Sequence, residues 1–201
     1  MLVIGVTGGI GTGKSEVSRL LQALGAVVVN ADLVGHEAYK PNSESWHEIV
    51  KAFGDGILQP NGEIDRRKLG SIVFSDREQL AKLNGIMHPR MALMVAEKLE
   101  GLRTEGVAVA VVEAAILYEA GWDSLVDEVW ATDSPVEEVI QRLQDRSGMS
   151  AEEVRKRIDS QMDREERLAR ADVVVDNSSD VSELERTVHS LWDIRTKGYQ
   201  N

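Results

Sequence analysis

The residues best equipped for chemistry open the chain: Gly8-Gly9-Ile10-Gly11-Thr12-Gly13-Lys14-Ser15 fits G-x-x-x-x-G-K-[S/T] at every fixed position. Gly8, Gly11 and Gly13 allow backbone torsions that turn several N–H groups toward one point, which makes a cradle for an anion. A helix starting near Gly13 adds its unpaired donors and positive dipole end. Lys14 can then reach the β- and γ-phosphates of a nucleotide, and the Ser15 hydroxyl is a magnesium ligand. The pattern predicts an ATP or GTP site lined by Gly9, Gly11, Thr12, Gly13, Lys14, Ser15 and Glu16, with Mg²⁺ on Ser15. A dinucleotide fingerprint is excluded, because Lys14 stands where G-x-G-x-x-G needs its last glycine.

Other side chains extend the constellation. Asp32 suits two roles: a carboxylate that orients an acceptor hydroxyl, or the N-cap of a helix beginning at Leu33. Arg142 and Arg146 lie one helical turn apart, share a face, and are candidate phosphate clamps on a lid. The other cations of 142–170 are interleaved with acids, as on a solvated helix laced with Glu–Arg pairs. His88, before Pro89, suits either contact with an acceptor or a capping and packing role. Arg66 suits either a substrate phosphate or a surface pair with Asp65 and nearby acids.

The elements that must carry these residues follow from periodicity. Short apolar runs at 2–6, 26–29, 107–112, 128–132 and 173–175 read as strands, each with polar chemistry at its carboxyl end: the glycine loop, Asp32, Glu113, Asp133 and Asp176-Asn177. Alternation with helices predicts an α/β fold: a P-loop nucleoside-triphosphate hydrolase-like kinase core with a five-stranded, mainly parallel sheet flanked by helices. The strand leading to Asp32 is expected beside the first. Capping boxes are expected at Ser75-x-x-Glu78, Ser134-x-x-Glu137 and Ser150-x-x-Glu153. A final helix over 180–195 sets Val181, Leu184, Val188, Leu191 and Trp192 on a core stripe. The expected core is 1–32, 107–141 and 171–201, with a helical substrate-binding insert over 33–106 and a lid over 142–170.

At 201 residues the chain suits one domain with inserted subdomains. A formal charge of −11 argues against a general nucleic-acid or anionic-membrane binder, so cations that hold a nucleotide must be concentrated locally. Cysteine is absent, which excludes disulfides, thiolate catalysis and cysteine-held metals. No signal-peptide pattern precedes the first strand, and the most apolar stretch, 107–118, is interrupted by Glu113. A cytoplasmic enzyme is expected, with no nucleic-acid or membrane partner and no obligate protein partner evident.

The guanine-reading N-K-x-D and the transporter signature L-S-G-G-Q are both absent, which leaves the small-molecule kinases. Within that group the chain resembles the dephospho-coenzyme A kinase family. The resemblance rests on T-G-G-I-G-x-G-K-S at 7–15, A-D at 31–32, F-G-x-x-I-L at 53–58 and I-D-R-x-x-L at 64–69. It continues through V-F at 73–74, L-N-x-I-x-H-P at 83–89, R-L at 142–143, Gln161, and A-D-x-x-x-D-N at 171–177. It implies transfer of the ATP γ-phosphoryl to the 3′-hydroxyl of dephospho-coenzyme A, the last step in making coenzyme A. Asp32 would orient that hydroxyl and accept its proton, with Lys14 and Arg142 on the phosphates. A kinase for another nucleoside or nucleotide is the nearest rival, and a nucleotide-dependent switch the more distant one. The chain departs from the family pattern at three places: Asn30 stands where an aspartate is common, Glu16 where Ser or Thr is usual, and Glu113-Ala114-Ala115-Ile116-Leu117 replaces the usual acidic-x-Pro-Leu-Leu.

Overall fold

A computed structural model describes residues Met1 to Tyr199. The elements run β1 (Leu2–Gly8), α1 (Lys14–Ala23), β2 (Val27–Asn30), α2 (Ala31–Ala38), α3 (Glu44–Phe53), α4 (Arg66–Val73) and α5 (Arg77–Thr104). Then follow β3 (Val109–Glu113), β4 (Glu128–Asp133), α6 (Val136–Ser147), α7 (Ala151–Asp159), α8 (Arg164–Arg170), β5 (Val173–Asp176) and α9 (Val181–Arg195). All five strands join one sheet in the order β2-β3-β1-β4-β5, and β1 runs parallel to both β3 and β4. This is the expected α/β core.

The central strand β1 is buried along its whole length, as a strand covered on both faces must be. Leu2, Ile4 and Val6 join Val17 and Leu21 of α1, Trp130 of β4, and Val188 and Trp192 of α9 in one apolar cluster. The sheet order corrects one expectation. β3 lies between β1 and β2, so Glu113 and not Asp32 ends the strand beside the glycine loop on that side.

Two compact units are present: Met1–Val29 together with the chain from Leu99 onward, and Asn30–Lys98. The second carries α2, α3, α4 and α5 as far as Lys98, and the end of α5 belongs with the sheet unit. Helix α5 spans 28 residues through Pro89. The residue whose carbonyl that ring crowds is Gly85.

Several caps fall elsewhere than the spacing predicts. Asn30 caps α2, its side-chain oxygen accepting from the N–H groups of Asp32 (2.9 Å) and Leu33 (3.2 Å), so the capping role considered for Asp32 is already filled. Asp76, rather than Ser75, caps α5 by accepting from Glu78 N–H at 2.8 Å. Ser134 makes no cap for α6; its hydroxyl donates to the carbonyl of Asn177 instead. Ser150 and Glu153 do form the expected box on α7. Val181 points outward from α9, at 58 % exposure, while Leu184, Val188 and Trp192 are buried.

Asn30→Ala is expected to lower the unfolding free energy by about 1 kcal/mol, whereas Asn30→Asp retains the cap and most of the stability. Urea unfolding of the three proteins measures the difference; equal midpoints for all three would contradict it.

Candidate active site

The glycine loop is built by a strand that must turn into a helix within a few residues. Gly13 occupies the N-cap of α1 at φ 101°, a left-handed conformation without a side-chain cap. The Asn177 carboxamide sits over it and donates to Thr12 O at 3.0 Å, filling the space a Cβ at position 13 would need. At Gly8 a Cβ would run into the Thr12 and Thr132 hydroxyls. Those two hydroxyls tie the loop to β4: they lie 2.7 Å apart, with Thr12 Oγ1 2.9 Å from Gly9 O and Thr132 Oγ1 3.3 Å from Thr7 O.

Two side chains expected to meet phosphate already face the loop. Lys14 Nζ donates to the carbonyls of Gly8 and Gly9, both at 3.0 Å. Ser15 Oγ donates to Glu113 Oε1 at 2.7 Å, joining a hydroxyl from α1 and a carboxylate from the end of β3. That pair of hard oxygens suits a magnesium ion, which takes few protein ligands and keeps waters and phosphates for the rest. No group of three or more His, Cys, Asp or Glu able to hold a metal occurs among the described residues, so a dedicated protein cage is not formed.

Glu16 is turned to other work. Its carboxylate pairs with Arg19 at 2.6 Å, a hydrogen bond that holds its pKa below the ordinary carboxylate value, and its N–H is taken by Gly13 O at 3.0 Å. The charge at this helix start is thereby paired and favourably placed for the dipole.

Arg142 departs from its expected place. It lies inside α6, not on a lid beginning at 142, and its guanidinium is held by Ser134 Oγ (3.0 Å), Asn177 O (2.7 Å) and Glu138 (3.1 Å). Arg146 is exposed one turn on. The segment beyond Gly148 supplies the loop's neighbours instead. Arg167 of α8 is buried to 6 % exposure, its Nη2 anchored on Met162 O at 2.6 Å and its Nη1 close to Gly9. Gln161, between α7 and α8, accepts from Ile10 N–H at 2.8 Å. Arg164 pairs with Asp133 at the end of β4, with Nε to Oδ1 at 2.8 Å, which raises its pKa further. Between loop, β4 end, α6 and these helices lies a cavity of about 330 Å³, apolar at Val136, Val139 and Ile158 and polar at Asp133, Gln161 and Arg167.

The remaining expected residues belong to the Asn30–Lys98 unit. Asp32 is exposed in the first turn of α2, and among the described residues none is seen to hydrogen-bond its carboxylate. His88 is half-buried in α5. Arg66 opens α4 and lies over the Tyr39 ring, 5.4 Å from its centre, while the Asp65 carboxylate is used as the helix cap. The expected Asp65–Arg66 pair is therefore replaced by a cation–aromatic contact. Arg66, Arg67 and Lys68 line an open recess of about 560 Å³ together with Glu63 and Asp65.

Glu113, Gln161, Arg167, Thr132 and Asn177 complete the loop's surroundings beyond the predicted set. Gln161 and Asn177 stood in the quoted motifs, and Arg167 was one arginine among many. Thr132 carried no signal in the sequence.

A family model described as dephospho-CoA kinase matches residues 2–183. A dephospho-CoA kinase of Geobacter sulfurreducens is 46% identical over 192 residues, covering 96% of this chain and 98% of its own. A crystal structure from Thermus thermophilus superposes with a TM-score of 0.81 at 33% identity, covering 97% of this chain and 98% of its own. The dephospho-CoA kinase from Campylobacter jejuni gives 0.74 at 28%, covering 98% of each chain.

Gly13→Ala is expected to cost about 1–3 kcal/mol of stability through backbone strain and to abolish nucleotide binding. Adding Asn177→Ala removes the collision but not the strain, so the double variant regains part of the loss. Urea unfolding in a double-mutant cycle tests this, and strict additivity would refute the collision.

Proposed function

Because the chain belongs to the dephospho-CoA kinase family, we propose that it transfers the γ-phosphoryl of ATP to the 3′-hydroxyl of dephospho-coenzyme A, the final step of coenzyme A biosynthesis. It is an ATP-dependent phosphotransferase. The observation that carries the reading is the loop itself: Lys14, Ser15 and a left-handed Gly13 stand at the start of α1, with Glu113 on the serine hydroxyl.

In the reaction the substrate hydroxyl oxygen bonds to the γ-phosphorus as the bond from that phosphorus to the ADP oxygen breaks, and the hydroxyl proton leaves to a base. Phosphoryl transfer asks the protein mainly for alignment and charge neutralisation. Lys14 gives up its carbonyl partners for the β- and γ-phosphates, and the loop amides from Gly9 to Lys14 hold the bridging region. Ser15 and Glu113 would hold Mg²⁺, which when bound supplies further positive charge at the phosphates. Arg167, held rigidly beside Gly9, replaces Arg142 as the side chain that meets charge developing toward the leaving ADP. Arg142 instead keeps the β4–α6 corner in shape through Ser134 and Asn177.

Asp32 orients the ribose hydroxyl and takes its proton, as the family resemblance implies. Two features support the role: it follows the carboxyl end of β2 directly, and its carboxylate is not used as a helix cap, since Asn30 has that task. The recess around Arg66 suits an acceptor phosphate, and His88 is kept as an acceptor contact. ATP and dephospho-coenzyme A are the proposed partners and the cytoplasm the proposed place of action. Among the described residues no helix is long and apolar enough to cross a membrane.

Incubation with γ-labelled ATP, Mg²⁺ and a panel of acceptors is expected to label dephospho-coenzyme A; label in a nucleoside monophosphate alone would reject the assignment. Asp32→Asn is expected to lower kcat roughly 10²- to 10⁴-fold with ATP affinity nearly unchanged. Wild-type turnover would remove Asp32 from the mechanism. Arg167→Met should lower kcat by about 10²-fold while Arg142→Met loses less, and steady-state kinetics on the two variants ranks them.

A further inference from the structure

We propose that Gln161 is a phosphate-displaced latch: its side-chain carbonyl, which accepts the Ile10 amide, competes with phosphate for that N–H and yields it to a phosphate oxygen when nucleotide enters. The proposal rests on the reading of residues 8–15 as an ATP site. An N–H donates only to an acceptor opposite it, so chemistry as well as distance fixes the carboxamide with Oε1 toward Ile10 N at 2.8 Å. Ile10 is the third residue of the loop, flanked by Gly9 and Gly11, and backbone N–H groups of such a turn are the donors an anion can take.

Gln161 occupies the turn between α7 and α8, where its own N–H is tied to Ile158 O at 3.1 Å. The next residue's N–H meets Glu119 Oε1 at 3.3 Å, and that residue's carbonyl anchors buried Arg167. Displacing the Gln161 carbonyl therefore works on the same short turn that aims the arginine at Gly9. The latch is neutral, which matters. A glutamate there would accept the same N–H more strongly and carry a charge that repels phosphate, whereas a carboxamide gives an uncharged stand-in that a charged oxygen outcompetes. Gln161 is thus a positioning residue: it acts through the loop amide and the turn, not on the reacting atoms.

The test uses the full chain as wild type, Gln161→Met and Gln161→Glu, with ATP and with pyrophosphate as probes, thermal melting confirming that each variant folds. Hydrogen exchange of the peptide covering residues 8–12 is expected to be at least tenfold faster in ligand-free Gln161→Met than in wild type, and to return to the wild-type level with ATP. Titration is expected to give Gln161→Met an affinity within threefold of wild type, and Gln161→Glu one more than tenfold weaker for both probes. Unchanged exchange in Gln161→Met overturns the latch. So does tenfold weaker ATP binding by Gln161→Met, which would make the glutamine a ligand contact, and so does wild-type affinity in Gln161→Glu. Binding by wild type and its loss in Lys14→Ala judge the ATP-site reading separately; a wild type that binds neither probe overturns both.

Discussion

The structure around the loop is governed by one constraint: a turn that aims several N–H groups and an ammonium at one spot must satisfy them when no anion is there. Buried donors left alone cost on the order of 1–3 kcal/mol each, comparable to a sizeable share of a domain's net stability. The fold answers with neutral acceptors. Lys14 takes the carbonyls of Gly8 and Gly9, Ile10 takes Gln161, and Thr12 and Thr132 share their protons along a path ending on loop carbonyls. Each of these neutral acceptors is weaker than a phosphate oxygen would be, so the donors are satisfied yet ready to exchange partners.

The same constraint explains how an acidic protein keeps a cationic site. Most arginines beyond α6 are neutralised locally: Arg155 by Glu137, Arg164 by Asp133, and Arg170 by Asp123 and Glu166. Exposed pairs of this kind contribute little stability, yet they remove competing positive charge from the surface. Arg167 differs because it is buried, and it is held by a carbonyl rather than a carboxylate in the contacts seen. A carbonyl anchor fixes direction without cancelling charge. That is what a side chain facing migrating phosphoryl charge requires, whereas the carboxylate partner of Arg142 dilutes its charge.

Much of this was legible in the sequence, for identifiable reasons. The central strands were readable because both faces of the sheet are covered there, which makes them apolar runs; β1 and β3 show that burial directly, while the edge strands β2 and β5 expose Val27 and Val174 and were readable from their β-branched residues. The loop was readable because its glycines and Lys-Ser pair admit few substitutes. Strand order was not: nothing local says that the chain crosses from β2 over the insert before laying β3 between β2 and β1. The lid's boundaries failed for a related reason, since charge density ran unbroken from Arg142 while α6 packs its Val139 and Leu143 against Gly11. The cap expected of Ser75 is lost because the neighbouring Asp76 takes the same donors, and that expected of Ser134 because its hydroxyl is spent on Asn177 O.

Asn30 shows how a departure from the family pattern fits the physics. Asn and Asp cap helices about equally well, so the two N–H groups at the start of α2 do not choose between them. Charge does. An aspartate at this position would put a second carboxylate two residues from Asp32, and an anionic substrate approaching that turn would face both. The carboxamide keeps the helix start satisfied and leaves Asp32 as the acidic residue of the first turn. What is given up is the dipole stabilisation a charged cap would add, typically 0.3–1 kcal/mol, a small cost beside the repulsion avoided if a polyphosphate must come near. The substitution therefore costs the helix start little.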